Sequence, residues 1–176
     1  MYKKFILATI AIFILLFTFL SVNRGYFIQN WSFTPFKAYE FELSNLANKK
    51  ISFKHTPGEV VLLFFWATWC PSCKDDLHFF SEFINSMKNN TVRFISISLD
   101  GSSQIVEDSF KSLMFTPNFE VLIDTNGDIS AMHDVYSVPE TFLINKKGIV
   151  VKRFLGSIIP QEKVFLQELN ELLTSE

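Results

Sequence analysis

Cys70 and Cys73 are the only cysteines among 176 residues, and they stand in a Cys-Pro-Ser-Cys quartet. A single pair cannot be the framework of a disulfide-stapled scaffold, which needs several bridges to replace a missing core. Two thiols at this spacing can carry redox chemistry: one thiolate attacks a disulfide in a partner, and the second resolves the mixed disulfide. The same spacing is half of a zinc site, which requires two further ligands. His55, His78 and His133 are scattered and form no close pair, so that second half is missing. Two thiolates could also act as soft ligands for Cu(I) in a binding module, but no third ligand lies nearby in the sequence.

The elements around the pair favour the redox reading. Val60 to Trp66 is a continuous apolar run suited to a strand covered on both faces. Pro71 fits the first turn of a helix, where its missing N–H costs nothing, and Leu77, Phe80, Phe83, Ile84 and Met87 follow at helical spacing until Asn89-Asn90. Cys70 therefore falls at a helix N-terminus, where unpaired N–H groups and the helix dipole favour a thiolate, and Cys73 lies one turn on.

The rest of the chain alternates strands and helices. Tyr39, Phe41 and Leu43, then Ile51 and Phe53, alternate with polar residues as in a β-hairpin. Strands are expected over Val92–Ile97, Phe119–Ile123, Thr141–Ile144 and Ile149–Phe154. Helices are expected over Gln104–Met114, near Ile129–His133, and from Pro160 to Leu173. Such alternation gives an α/β fold with a parallel-cored sheet.

Hydrophobic residues make up 48% of the chain and charged ones 19%, enough for one good core and an extension. Removing Lys3 and Lys4 from the 16 basic residues leaves 14 against 18 acidic ones, so the chain has no basic footprint for nucleic acid. After those lysines, Phe5 to Val22 form an uncharged, mostly apolar run of 18 residues. A run of that length can cross a hydrocarbon layer of about 30 Å, and lysines ahead of it keep the N-terminus cytoplasmic. No small-residue cleavage pair follows it, which favours a retained anchor over a cleaved signal. The expected organisation is an anchor over residues 1–23, a juxtamembrane linker over 24–37 and an exported domain over 38–176.

Trp66-Ala67-Thr68-Trp69-Cys70-Pro71-Ser72-Cys73-Lys74 resembles the W-A-x-W-C-x-x-C-K signature of thioredoxin-like proteins, in particular their exported, membrane-tethered branch. Val138-Pro139-Glu140-Thr141-Phe142-Leu143-Ile144 is similar to the V-P-E-T-F-L-I segment of thiol:disulfide interchange proteins of the DsbE/CcmG type, close to the ResA and TlpA types. The resemblance covers about residues 38–173. It implies a thioredoxin-like fold: a central mixed sheet flanked by helices, with an added N-terminal hairpin and a transmembrane helix.

The resemblance also assigns roles. Cys70 is the exposed nucleophile and Cys73 the buried resolving thiol, with no cofactor beyond this redox-active pair. Val138-Pro139 is a cis peptide facing the cysteines, offering backbone to a substrate chain. Glu140 matches the acid beside that proline, and Asp76 falls where relatives usually carry Glu. A carboxyl held near a dithiol can exchange protons with it. Phe64 occupies the position of the buried acid of ordinary thioredoxin and cannot do so. Relatives commonly carry a proline soon after the Asp76 position, which this chain lacks. The implied partners are a disulfide-bearing exported protein, the C-x-x-C-H site of an apocytochrome c first among them, and a membrane electron donor. The implied location is the outer side of a bacterial inner membrane. A general exported reductase or oxidant is the alternative. Peroxide reduction is not expected, because the P-x-x-x-T/S-x-x-C pattern is absent upstream of Cys70.

Overall fold

A computed structural model describes residues 33–87 and 92–175, together with 12–13 and 17–18. The expected membrane span over residues 5–22 lies, but for those four residues, outside the described part, and so does the Asn89-Asn90 stop. Among the described residues, no helix is long and apolar enough to cross a membrane. The unit Pro35–Glu176 carries the fold.

Eight strands form its sheet: β1 Phe36–Lys37, β2 Phe41–Asn45, β3 Lys50–Phe53, β4 Val60–Trp66, β5 Val92–Ser98, β6 Glu120–Ile123, β7 Glu140–Ile144 and β8 Ile149–Leu155. Their order across the sheet is β1-β8-β7-β4-β5-β6-β2-β3. The helices are α1 Pro71–Ser86, α2 Ser103–Ser112, α3 Asp128–Met132 and α4 Glu162–Thr174, the last entered through a 3₁₀ turn at Ile159–Gln161. Strands β4, β5 and β6 are parallel, while β7 and β8 run antiparallel to their neighbours. The sheet is therefore mixed, as the resemblance implies. The β2–β3 hairpin does not stand apart: β2 pairs with the β6 edge through Ser44 and Asn45.

Strand β4 lies near the middle of the sheet and is wholly buried, which explains why its seven residues read as an unbroken apolar run. Its alternate residues Val60, Leu62, Phe64 and Trp66 meet Leu77 and Phe80 of α1, Val106 and Phe110 of α2, and Phe165 and Leu169 of α4 in one core cluster. Three helices thus cover one face. On the other face Phe65 and Phe142 pack against the ring of His133, which follows α3, and Phe41 and Tyr39 close over the same ring.

Helix α1 runs unbroken from Pro71 to Ser86 without the proline that relatives carry. Residues read as linker contribute β1, whose Phe36 and Lys37 pair with Val150 and Ile149 at the start of β8. A two-residue strand is too short to show a period of two in the sequence.

Candidate active site

Residues from four segments converge where the C-terminal end of β4 meets the starts of α1 and β7. Cys70 and Cys73 form a disulfide, so the structure is that of the oxidised chain. Cys70 is the N-cap of α1: its Sγ accepts the backbone N–H of Cys73 at 3.2 Å, and Pro71 follows in the first turn. The sulfur thus occupies the place of a capping oxygen, where the helix end stabilises negative charge. Val138 and Pro139 are joined by a cis peptide bond, and the Val138 carbonyl lies 3.7 Å from Cys70 Sγ.

Cys70 is less open than the resemblance implies. It retains 4% of its surface against 0% for Cys73, because the disulfide, Ser72 and Val138 surround its sulfur. Exposure instead belongs to its neighbour: Trp69 is 68% exposed. Tyr136, two residues before Val138, and Leu155, paired with Glu140, are likewise exposed.

Asp76 lies one turn beyond Cys73 and is fully buried rather than solvated. Its Oδ1 accepts the Ser157 hydroxyl at 2.6 Å, and both carboxyl oxygens accept the Ile158 N–H at 3.2 Å. Burial raises its pKa, and these hydrogen bonds only partly oppose the rise. Residues three apart on a helix share a face, so the Asp76 carboxyl and the Cys73 thiol belong to the same buried side of α1.

Glu140 is buried to the same degree but is differently partnered. Arg153 of β8 donates to both of its oxygens, from Nε at 2.8 Å and from an Nη at 3.0 Å. The same guanidinium donates to the Asp134 carbonyl at 2.7 Å. Burial raises the Glu140 pKa while Arg153 pulls it down. Strand alternation turns Glu140 to the face of Phe65, its cross-strand partner, opposite the face that α1 covers. The two acids singled out from the sequence therefore stand on different sides of the sheet, and Asp76 is the one on the side of Cys73. Phe64 fills its place with a buried ring stacked among Phe80 and Phe94.

Sequence reasoning missed the polar residues that hold these segments. Thr68 is tied to Asp100, two residues past the end of β5, through both its N–H and its hydroxyl. Ser157 and Arg153 hold the two acids. One signal was available: Ser96 and Ser98 in the buried half of β5, and Asp100 two residues beyond it, alternate and place polar groups where core is expected. Among the described residues, no group of three or more His, Cys, Asp and Glu is arranged to hold a metal ion.

The comparisons with known proteins agree with this geometry. A sequence model of the AhpC/TSA family matches residues 36–153. Thiol-disulfide oxidoreductase ResA of Bacillus thuringiensis is 30% identical over 155 residues, covering 88% of this chain and 87% of that protein. Thiol:disulfide interchange protein DsbE of Haemophilus influenzae is 34% identical over 115 residues, or 65% of this chain and 60% of that protein. A crystal structure described as a DsbE from Chlorobium tepidum superposes with a TM-score of 0.72 over 81% of this chain and 99% of its own, at 22% identity, which bears on fold alone. With a dithiol at the helix start and relatives of this kind, the chain belongs to the thioredoxin-like AhpC/TSA family and is a thiol–disulfide oxidoreductase of the ResA and DsbE type.

Proposed function

We propose that this protein is a membrane-anchored reductant of exported proteins, and that its client is the C-x-x-C-H disulfide of an apocytochrome c. The observation that carries the reading is the setting of Cys70: its sulfur caps α1 beside the Val138 carbonyl, with the exposed Trp69 next to it. The run from Phe5 to Val22 behind two lysines supports the anchor and the export of the domain. The client is carried over from the resemblance to the DsbE/CcmG type.

In the reduced protein the Cys70 thiolate attacks one sulfur of the client disulfide, forming a mixed disulfide and releasing the other client sulfur as a thiolate. Backbone on either side of Pro139 aligns the client chain against Cys70. Cys73 then gives up its proton and attacks Cys70 Sγ, which expels the second client thiolate and leaves the Cys70–Cys73 disulfide. Asp76, buried on the side of Cys73, is the acceptor for that proton, and it hands it on as the client thiolates are protonated. Glu140, held by Arg153, fixes the start of β7 behind Pro139. Two electrons pass to the client, and a membrane electron donor restores the dithiol.

The test is to express the full-length chain with Cys73→Ser in its native host, where Cys70 cannot be resolved, and to identify trapped partners by mass spectrometry. Apocytochrome c joined through a cysteine of its C-x-x-C-H site is the expected adduct. A broad set of unrelated exported proteins would instead identify a general reductase.

A further inference from the structure

Three hydrogen bonds converge on the carboxylate of Asp100, which is only 4% exposed. Oδ2 accepts the Thr68 backbone N–H at 2.9 Å and the Ser98 hydroxyl at 2.6 Å, while Oδ1 accepts the Thr68 hydroxyl at 2.7 Å. Ser98 Oγ in turn accepts the Asp100 N–H at 3.0 Å, which orients the carboxylate from the last residue of β5. None of these partners is a cation. Burying a carboxylate without one is costly, and here hydrogen bonds alone offset the cost.

Two of the three bonds go to a single residue, Thr68, and that residue precedes Cys70 by two positions. The segment between them is a turn in which the Cys70 N–H donates to the Ala67 carbonyl at 3.2 Å. A bond from the Leu99 N–H to the Trp66 carbonyl at 2.8 Å brings the end of β5 against the root of that turn. The turn in turn sets where Cys70 Sγ lies relative to the Cys73 N–H and the Val138 carbonyl. Loosening it displaces the sulfur from the helix end that favours its thiolate.

We propose that Asp100 is a positioning residue of the dithiol, holding through Thr68 the turn that delivers Cys70 to the start of α1. The inference rests on thiol–disulfide exchange at Cys70 and on neither the client nor the location. Geometry rather than charge is the means. In an Asp100→Asn variant the amide oxygen can take the place of Oδ2 while the amide N–H donates to the Thr68 hydroxyl, so all three contacts survive without the charge.

The experiment uses the reduced full-length protein and two readouts that need no client. These are the rate of Cys70 alkylation by iodoacetamide across pH and the equilibrium of the Cys70–Cys73 couple with glutathione. Asp100→Ala is expected to slow alkylation at neutral pH about ten-fold and to raise the pH midpoint of the reaction, because a small misplacement of a reacting group is costly in rate. It is also expected to shift the glutathione equilibrium. Asp100→Asn restores the wild-type rate, and Thr68→Val, which loses one of the three bonds, falls between the two. An Asp100→Ala variant that melts earlier but alkylates with the wild-type rate and midpoint would overturn the proposal. If that variant does not fold, Thr68→Val decides: unchanged rate and midpoint overturn it equally. Failure to trap an apocytochrome would leave both readouts untouched, so the two readings fail separately.

Discussion

The groups that meet the Asp76 carboxyl, the Ser157 hydroxyl and the Ile158 N–H, carry no charge, so they offset only part of the desolvation of its ionised form. The folded protein therefore holds the Asp76 proton at pH values where the unfolded chain has released it. By linkage, this contribution to stability is fully present below the unfolded value of about 3.9 and is lost as pH rises through the raised folded value. Comparing thermal melts of wild type and Asp76→Asn from pH 4 upward should show the wild type losing stability faster, because the amide keeps the contacts and does not titrate. Parallel curves would mean that folding leaves the Asp76 pKa where the unfolded chain has it, a carboxylate too weakly basic to take the Cys73 proton efficiently. Glu140 presents the reverse case, an acid whose partner is a charge. Arg153→Met strands the carboxylate in the interior and should cost about 3 kcal/mol by urea unfolding, as removal of one member of a buried pair does. The double variant Glu140→Gln with Arg153→Met should recover part of that loss, since the stranded charge is then gone.

Among the elements, α4 packs through Phe165 and Leu169, and the Phe165 ring makes its aromatic contacts. Phe165 contacts the rings of Phe79, Phe80 and Phe83 on α1 and of Phe154 on β8, and it is fully buried. Phe165→Ala should cost about 3–5 kcal/mol in urea unfolding, in line with other large-to-small core changes. It should leave the pH midpoint of Cys70 alkylation unmoved, because the rings that Phe165 meets lie beyond the first turn of α1 and on β8. Phenylalanine packing of this sort was legible in the sequence, where Phe80 and Phe83 recur at helical spacing and β4 shows no polar residue at all. The strands and helices lie within a residue or two of the positions their periodicity indicates. Long-range polar ties were not legible. Ser157 is 81 residues from Asp76 and Asp100 is 32 from Thr68, and no local pattern links partners at such separations. Strand β1 escaped notice for a related reason: its pairing with β8 is decided by the sheet edge it meets and not by its own two residues. The Cys70 and Cys73 pair and Val138-Pro139 were visible because each is a short contiguous motif, yet the face on which Glu140 lies depends on the register of β7 with β4.

For the whole molecule, the prediction concerns which side of a membrane it works on. A reporter enzyme that is active only after export, fused behind Glu176 of the full-length chain, should be active in intact cells, and replacing Lys3 and Lys4 with glutamate should reduce that activity. An inactive wild-type fusion would place the dithiol in the cytoplasm and remove apocytochrome c as its client. The path of the chain through the sheet separates the start of the domain from its reactive end. Phe36 joins β8 beside Val150, whereas Pro139 and the dithiol turn lie at the end marked by Leu155. Five residue steps along β8 separate those points, roughly 17 Å at the rise of a β-strand. A domain held by its N-terminal residues is thus gripped at one pole and reactive at the other. Immobilising the protein through that end, on a resin or a sensor chip, should leave the surface around the exposed Trp69 turned to solution and free to meet large clients.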